Sequence, residues 1–178
     1  MNVIYKIISN FINNKSLYIG EKVTMSEHMI QSAMIAEKKK SSKSLICACL
    51  LHDYGHFILD DPNDMVKNKL DGKHEEIGYE YLSKFFNKDV VEPIKYHVKA
   101  KRYLARSKKY YSQLSDASKI SLKLQGGILN KKECKDFEKN KFFKDAVKLR
   151  KFDELAKKTN IKMKSINQYR DLLHSQLL

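Results

Sequence analysis

Apolar residues return every three or four positions along most of this chain, the period of a helix that buries one face. In residues 2–13 they set Val3, Ile7, Ile8, Phe11 and Ile12 on one side of a first helix. Ser26 is a candidate N-cap for a second helix over 27–39, with Met29, Ala33 and Ala36 turned inward. From Ser42 to about Tyr54 the run is apolar almost throughout, which predicts a buried helix closed by Gly55. Asp60-Asp61-Pro62-Asn63 is a turn cluster. Further helices are predicted at 74–86, 90–104, 112–125, 131–149 and 165–177, with Gly126-Gly127 closing the one over 112–125. Apolar and polar residues nowhere alternate convincingly over the length of a strand, so the expected fold class is all-α, a helical bundle.

A chain of 178 residues buries a core without disulfide or metal staples, and no repeat or linker-like tract divides it. One domain over 1–178 is expected, with its core in about 15–160 and a helical C-terminal extension over 161–178. The extension's stripe of Ile166, Tyr169, Leu172 and Leu173 reads as core before interface. The net charge of +14 comes from 31 Lys and 4 Arg against 21 acidic residues. Arginine is the residue that grips phosphate and base edges bidentately, and here it is scarce while lysines are spread along the whole chain. Nucleic acid is therefore not the expected partner, although a positive field steers small anions well. Cys47 and Cys49 lie in an apolar run and Cys134 in a charged one, which is no disulfide framework and implies a reducing compartment. Lys6 and Asn10 interrupt the apolar residues of the N-terminus, and no run of 18 apolar residues occurs. A cytoplasmic protein without a membrane partner is expected, as a monomer or weak homo-oligomer.

The chemistry begins at His52-Asp53, which ends an otherwise apolar helix. An imidazole beside a carboxylate is costly to bury unless something compensates both, and a divalent metal does. Taken alone, the pair is equally a solvated helix end. The other histidines shift that balance: His28, His52, His74 and His97 follow one another at intervals of 24, 22 and 23 residues, one on each of four consecutive predicted helices. Bundle cores build metal sites in this way. Asp153, after Arg150-Lys151-Phe152, is a late carboxylate placed to complete the set.

Other polar residues share faces with these. Lys101 lies one turn after His97, where it is either an ordinary surface lysine or a cation that needs an anion between itself and a metal. Ser118, Ser121 and Gln125 fall on one helical stripe that is either solvated or suited to holding anionic oxygens without adding charge. Arg150, one turn before Asp153, would pin an anion or orient that aspartate, and His56, one turn after His52, is placed to donate toward a substrate.

His28, His52-Asp53 and the distant Asp153 resemble the H…HD…D pattern of the HD-domain superfamily, and His74 and His97 match the two extra histidines of its dinuclear members. Tyr18-Ile19-Gly20-Glu21, Val23-Thr24-Met25-Ser26-Glu27-His28, Leu114-Ser115-Asp116-Ala117-Ser118 and Leu124-Gln125-Gly126-Gly127 are similar to segments of its mixed-valence diiron oxygenases. So is Ala146-Val147-Lys148-Leu149-Arg150 running into Asp153, and the resemblance covers about residues 15–160. It is nearest to the branch acting on 2-amino-1-hydroxyethylphosphonate. It implies two iron ions, Fe(II) and Fe(III), with O2 as co-substrate. The first ion would take His28, His52, Asp53 and Asp153, the second His74 and His97, and Asp53 would bridge them. It further implies a small anionic organophosphonate bound by Lys101, Ser118, Ser121, Gln125 and Arg150. Tyr18 would occupy the second iron until substrate displaces it, and Glu21 would face the substrate's amino end. The implied reaction cleaves the C–P bond of a 1-hydroxyphosphonate to a carboxylate and phosphate. The rival is a metal-dependent HD phosphohydrolase acting on a nucleotide or small phosphate monoester, because ligand type alone does not select the metal or the reaction.

Overall fold

The computed structural model describes residues 2–18, 20–58 and 73–178; Ile19 and the turn cluster at 60–63 lie outside them. Among the described residues there are ten α-helices, two 3₁₀ turns and only two isolated β-bridges, as the apolar periodicity predicts. The first helix, α1 (Val3–Asn13), starts where the Asn2 side chain accepts from the Ile4 N–H at 2.9 Å. Its inward row is Ile4, Ile7, Ile8 and Phe11. Val3 only packs against the margin of the core, and Ile12 is left exposed, because the row at i, i+3, i+4, i+7 starts one residue later than the stripe expected.

Helix α2 (Met25–Lys38) is capped by Thr24 and not by Ser26. The Thr24 hydroxyl accepts from the Glu27 N–H at 3.1 Å while the Glu27 carboxylate accepts from the Thr24 N–H at 2.7 Å, a capping box. Ser26 sits in the first turn, buried, and donates to the Phe11 carbonyl at 2.9 Å, which ties the end of α1 to the start of α2. Helix α3 (Lys43–Leu51) begins at Ser42 as expected but stops before His52, so that His52 and Asp53 occupy a turn leading into a 3₁₀ segment, Tyr54–Phe57.

Gly55 does not close that helix; it admits a neighbour. A Cβ placed there would lie 1.9 Å from the His74 carbonyl oxygen, in the first turn of α4 (His74–Leu82), and Gly78 on the same helix faces Gly55 in return. Gly55→Ala must push α4, and His74 with it, off the 3₁₀ segment. Overpacking of this kind costs about 1–3 kcal/mol, so a melting temperature lower by about 2–12 °C is expected in a chain of this size. Gly78→Ala, whose Cβ meets its nearest neighbour at 3.2 Å, should cost clearly less in the same thermal melt. Equal, near-zero losses in both would contradict the close approach.

Helix α5 (Lys88–Leu104) follows. The helix expected over 112–125 is two, α6 (Lys108–Gln113) and α7 (Asp116–Leu124), because Ser115 caps a new start by accepting from the Ser118 N–H at 3.2 Å. Gly126 and Gly127, both at positive φ, end α7. The helix expected over 131–149 also divides, into α8 (Lys131–Glu138) and α9 (Phe143–Leu155), around Asn140, whose side chain accepts from the Phe142 N–H at 2.8 Å. The C-terminal segment is a 3₁₀ turn, Ile166–Tyr169, and α10 (Arg170–Ser175).

Helices α2, α3, α5 and α9 pack on one another, and α4 packs on α5 and the 3₁₀ segment. Ile166, Tyr169 and Leu173 belong to the same buried cluster as Ile4, Met29 and Leu50, and the Tyr169 hydroxyl donates to Glu37 at 3.1 Å. The C-terminal stripe is thus core, closing over α1 and α3. No helix among the described residues is long and apolar enough to cross a membrane.

Candidate metal centre

The five helices that pack together, with the turn after α3, are also the ones that carry the paired histidines and aspartates. His28 comes from the first turn of α2, His52 and Asp53 from the turn after α3, His74 from the start of α4, His97 from α5 and Asp153 from the last turn of α9. All six are buried, and they form two groups: His28, His52 and Asp153, and Asp53, His74 and His97.

Backbone carbonyls aim the imidazoles. His28 Nδ1–H donates to the Ala156 carbonyl at 2.9 Å, His52 Nδ1–H to Cys49 at 2.8 Å and His97 Nδ1–H to Ile94 at 2.7 Å. Each such bond leaves Nε2 as the lone-pair nitrogen and turns it to the centre. His28 Nε2 and His52 Nε2 then stand 3.1 Å apart, as do His74 Nε2 and His97 Nε2. Between the pairs lies the Asp53 carboxylate. Its Oδ2 is 3.3 Å from His52 Nε2 and 3.6 Å from His28 Nε2, while its Oδ1 is 3.2 Å from His74 Nε2 and 3.5 Å from His97 Nε2. Asp153 Oδ1 approaches His28 Nε2 at 3.2 Å and is a buried oxygen with no hydrogen-bond donor among the described residues. Lone pairs converge here from every side, an arrangement that nitrogen-and-oxygen-ligated cations satisfy and neutral packing does not. The residues fit a pair of metal ions.

Protons are the partial substitute. Burial alone would depress His52, but the adjacent Asp53 carboxylate raises it to about 9. Burial would likewise raise Asp53, and His52 beside it, with hydrogen bonds from His52, His74 and His97, holds it well below the usual carboxylate range. A metal entering this group must expel the His52 proton.

The residues around the centre differ in how fully they are engaged. Lys101 is 3% exposed and donates from Nζ to Ser121 Oγ at 2.9 Å. Burial, and then the nearby Arg150, bring it down to about 7. Ser118 is buried on the same face of α7, and Gln125, the α7 C-cap, carries a buried Oε1 with no partner among the described residues. Arg150 is buried and bonded on three sides, to Asp153 Oδ2, Glu154 Oε2 and, from Nε at 3.0 Å, the Tyr110 hydroxyl. Its observed contacts are therefore those of a clamp on the Asp153 carboxylate. His56 stacks on His74 with ring centroids 4.2 Å apart, has no partner at Nδ1 among the described residues, and is pushed by burial and His74 to about 3, a neutral imidazole. Tyr18 lies flat on His28 at 3.9 Å, and burial, then Asp153, push its phenol upward. Glu21 pairs with Lys157 at 3.2 Å.

Lys157 is the residue that reading the sequence missed. Its ammonium also reaches Glu154 Oε1 at 3.0 Å, Ser118 Oγ at 3.1 Å and Ser115 Oγ at 3.3 Å. In the sequence it is one of 31 lysines, and with Glu154 it reads as a routine i, i+3 surface pair. Tyr110, which holds Arg150, gave no sequence signal beyond an aromatic in a polar stretch.

An HD-domain family model matches residues 25–125, which carry five of the six metal-centre residues. The chain is 43% identical over 145 residues to the [1-hydroxy-2-(trimethylamino)ethyl]phosphonate dioxygenase (glycine-betaine-forming) of Leisingera caerulea, covering 81% of this chain and 74% of that protein. It is 40% identical over 163 residues to the hydroxymethylphosphonate dioxygenase of Gimesia maris, covering 90% and 81%. An uncharacterised protein of Acanthamoeba polyphaga mimivirus is 37% identical over 177 residues, covering 97% and 80%. The chain belongs to the HD-domain family. Within that family it is an enzyme of the dioxygenase kind, like the two relatives named as dioxygenases.

Proposed function

We propose that this enzyme is a diiron oxygenase that uses O2 to cleave the C–P bond of a 1-hydroxyphosphonate, giving a carboxylate and phosphate. The observation that carries the reading is Asp53. Its two oxygens face separate histidine pairs, so one carboxylate spans both halves of the centre. His28, His52, Asp53 and Asp153 would hold one iron, and His74 and His97, with Asp53 shared, the other. Bound as an Fe(II)/Fe(III) pair, the irons would supply O2 activation and Lewis acidity toward the substrate's hydroxyl and phosphonate oxygens.

The chain's own groups do the rest. Lys101, buried one turn from His97, meets the phosphonate with a positive charge in a site from which water is largely excluded. Ser118, Ser121 and Gln125 offer further polar contacts along α7 without adding charge. Arg150 keeps Asp153 ionised and oriented: burial would raise that carboxyl, and the guanidinium outweighs burial and holds it well below the usual range. His56, neutral and with no partner at Nδ1 among the described residues, is placed to exchange a hydrogen bond with a substrate bound at the second group. In the balance, O2 takes up the four electrons released when the carbinol carbon becomes a carboxylate and the phosphonate becomes phosphate. One O2 is consumed per phosphate released.

Iron-loaded protein assayed against hydroxymethylphosphonate, 2-amino-1-hydroxyethylphosphonate and its trimethylated analogue should consume O2 and release phosphate in equal amounts. Partly reduced protein should give a coupled Fe(II)/Fe(III) signal in electron paramagnetic resonance. Phosphate release from phosphate monoesters that continues without O2 would favour a hydrolase and sink this reading.

A further inference from the structure

The two phosphonate dioxygenase relatives are named for substrates that differ in a cationic nitrogen: one carries a trimethylamino group, the other is hydroxymethylphosphonate. A pocket that chooses between such substrates needs a charge on its wall that meets or repels that nitrogen. In this chain one carboxylate and one ammonium stand already joined beside the residues of the metal centre. Glu21 follows Tyr18, whose ring lies on the His28 imidazole, and its Oε1 is buried and 3.2 Å from Lys157 Nζ. Lys157 sits 5.8 Å from the centre of the Tyr18 ring and shares Ser118 of α7, while Ser121, one turn along, receives Lys101. The pair therefore stands on the same face of α7 as Lys101, between the Tyr18 segment, α7 and the end of α9.

We infer that Lys157 is a specificity-determining residue: its ammonium fills the position at Glu21 that a substrate's own cationic nitrogen would need, and so sets the pocket for 1-hydroxyphosphonates without an amine next to the carbinol carbon. The inference rests on the phosphonate oxygenase reading. A substrate ammonium must either displace Lys157 from Glu21, Glu154, Ser115 and Ser118 together or lie beside it as a like charge, and both weaken binding. Hydroxymethylphosphonate meets neither penalty.

The test is calorimetric binding of hydroxymethylphosphonate and 2-amino-1-hydroxyethylphosphonate to the metal-loaded, anaerobic protein, so that no turnover is needed. Wild-type protein should bind the unsubstituted compound more tightly. Lys157→Gln leaves Glu21 unpaired and should move the ratio of the two Kd values at least about tenfold toward the amine. Glu21→Gln leaves Lys157 uncompensated and should move it the other way, the double variant should lie between, and Lys157→Arg should keep the wild-type order. Thermal melts confirm that each variant is folded, and Glu21→Gln carries the test if Lys157→Gln is not. The inference is overturned if the ratio is the same in every variant, or if wild-type protein prefers the amine and loses that preference in Glu21→Gln. Wild-type protein that binds and turns over no phosphonate refutes the oxygenase reading itself, and the inference falls with it.

Discussion

Asp53→Asn should strip the centre of both metals, leaving fewer than one ion per chain by elemental analysis and an activity lower by at least about 1000-fold. The substitution keeps the shape of the side chain and removes its charge. Among the described residues Asp53 is the sole one whose two oxygens approach both histidine pairs, within 3.2–3.6 Å of all four Nε2 atoms. An amide can present one oxygen to one group and must turn its N–H donors toward the other, where a cation needs a lone pair and the amide nitrogen offers none. Even partners outside the ligand set typically cost 10–100-fold in affinity or activity when removed, so loss of a shared carboxylate should cost more at each group. Asp153→Asn is the informative contrast. It acts on the His28–His52 group alone, and its variant should keep about one ion, bound by His74, His97 and Asp53. Two ions with wild-type turnover in Asp53→Asn would show that Asp53 does not join the groups.

The clustering of the six histidine and aspartate side chains was legible in the sequence for a physical reason. Buried polar residues are expensive, so four histidines at near-equal intervals on consecutive predicted helices, one of them beside an aspartate that ends an apolar run, mark a candidate site. The resemblance to HD-domain oxygenases was legible for the same residues. Helix ends were less so, because periodicity runs through a break whenever both sides bury the same face. Ser115 restarts a helix inside a stretch whose apolar spacing predicted a single one, and the turn at Asn140 interrupts another in the same way. Thr24 and Glu27 stood in the sequence as a capping box, and the more conspicuous Ser26 hid them. Gly55 read as a helix stop because its reason, the backbone of a helix that begins 19 residues later, is a tertiary fact. Lys157 was invisible because its meaning depends on Glu21, 136 residues earlier, and a chain rich in lysine gives no cue to which one is buried.

Lys101→Met should weaken phosphonate binding by at least about 30-fold and remove most of its pH dependence above neutrality. Methionine fills a similar apolar volume in a buried position, so the variant should fold. The folded-state value of Lys101 lies near 7, down from 10.5, with burial the larger cause and Arg150 the next. The sign follows. Between those values the unfolded chain holds a proton that the folded chain has released, so this lysine makes wild-type stability rise with pH across that window. Below about 7 it is charged in both states and its burial cost is fully present. A phosphonate reverses the preference, since the anion favours the ammonium form. Below about 7 the site is ready for the anion. Above it each binding event must take up a proton, and log Kd should climb by up to one unit per pH unit. Truncating one partner of a buried charge pair costs about 2–5 kcal/mol, which sets the size of the loss. The substrate's own ionisation affects both proteins alike, so the difference between the two profiles isolates the lysine. Affinities within threefold of each other from about pH 6 to 9 would place Lys101 outside the phosphonate site, and with it the strongest reason to expect an anion there.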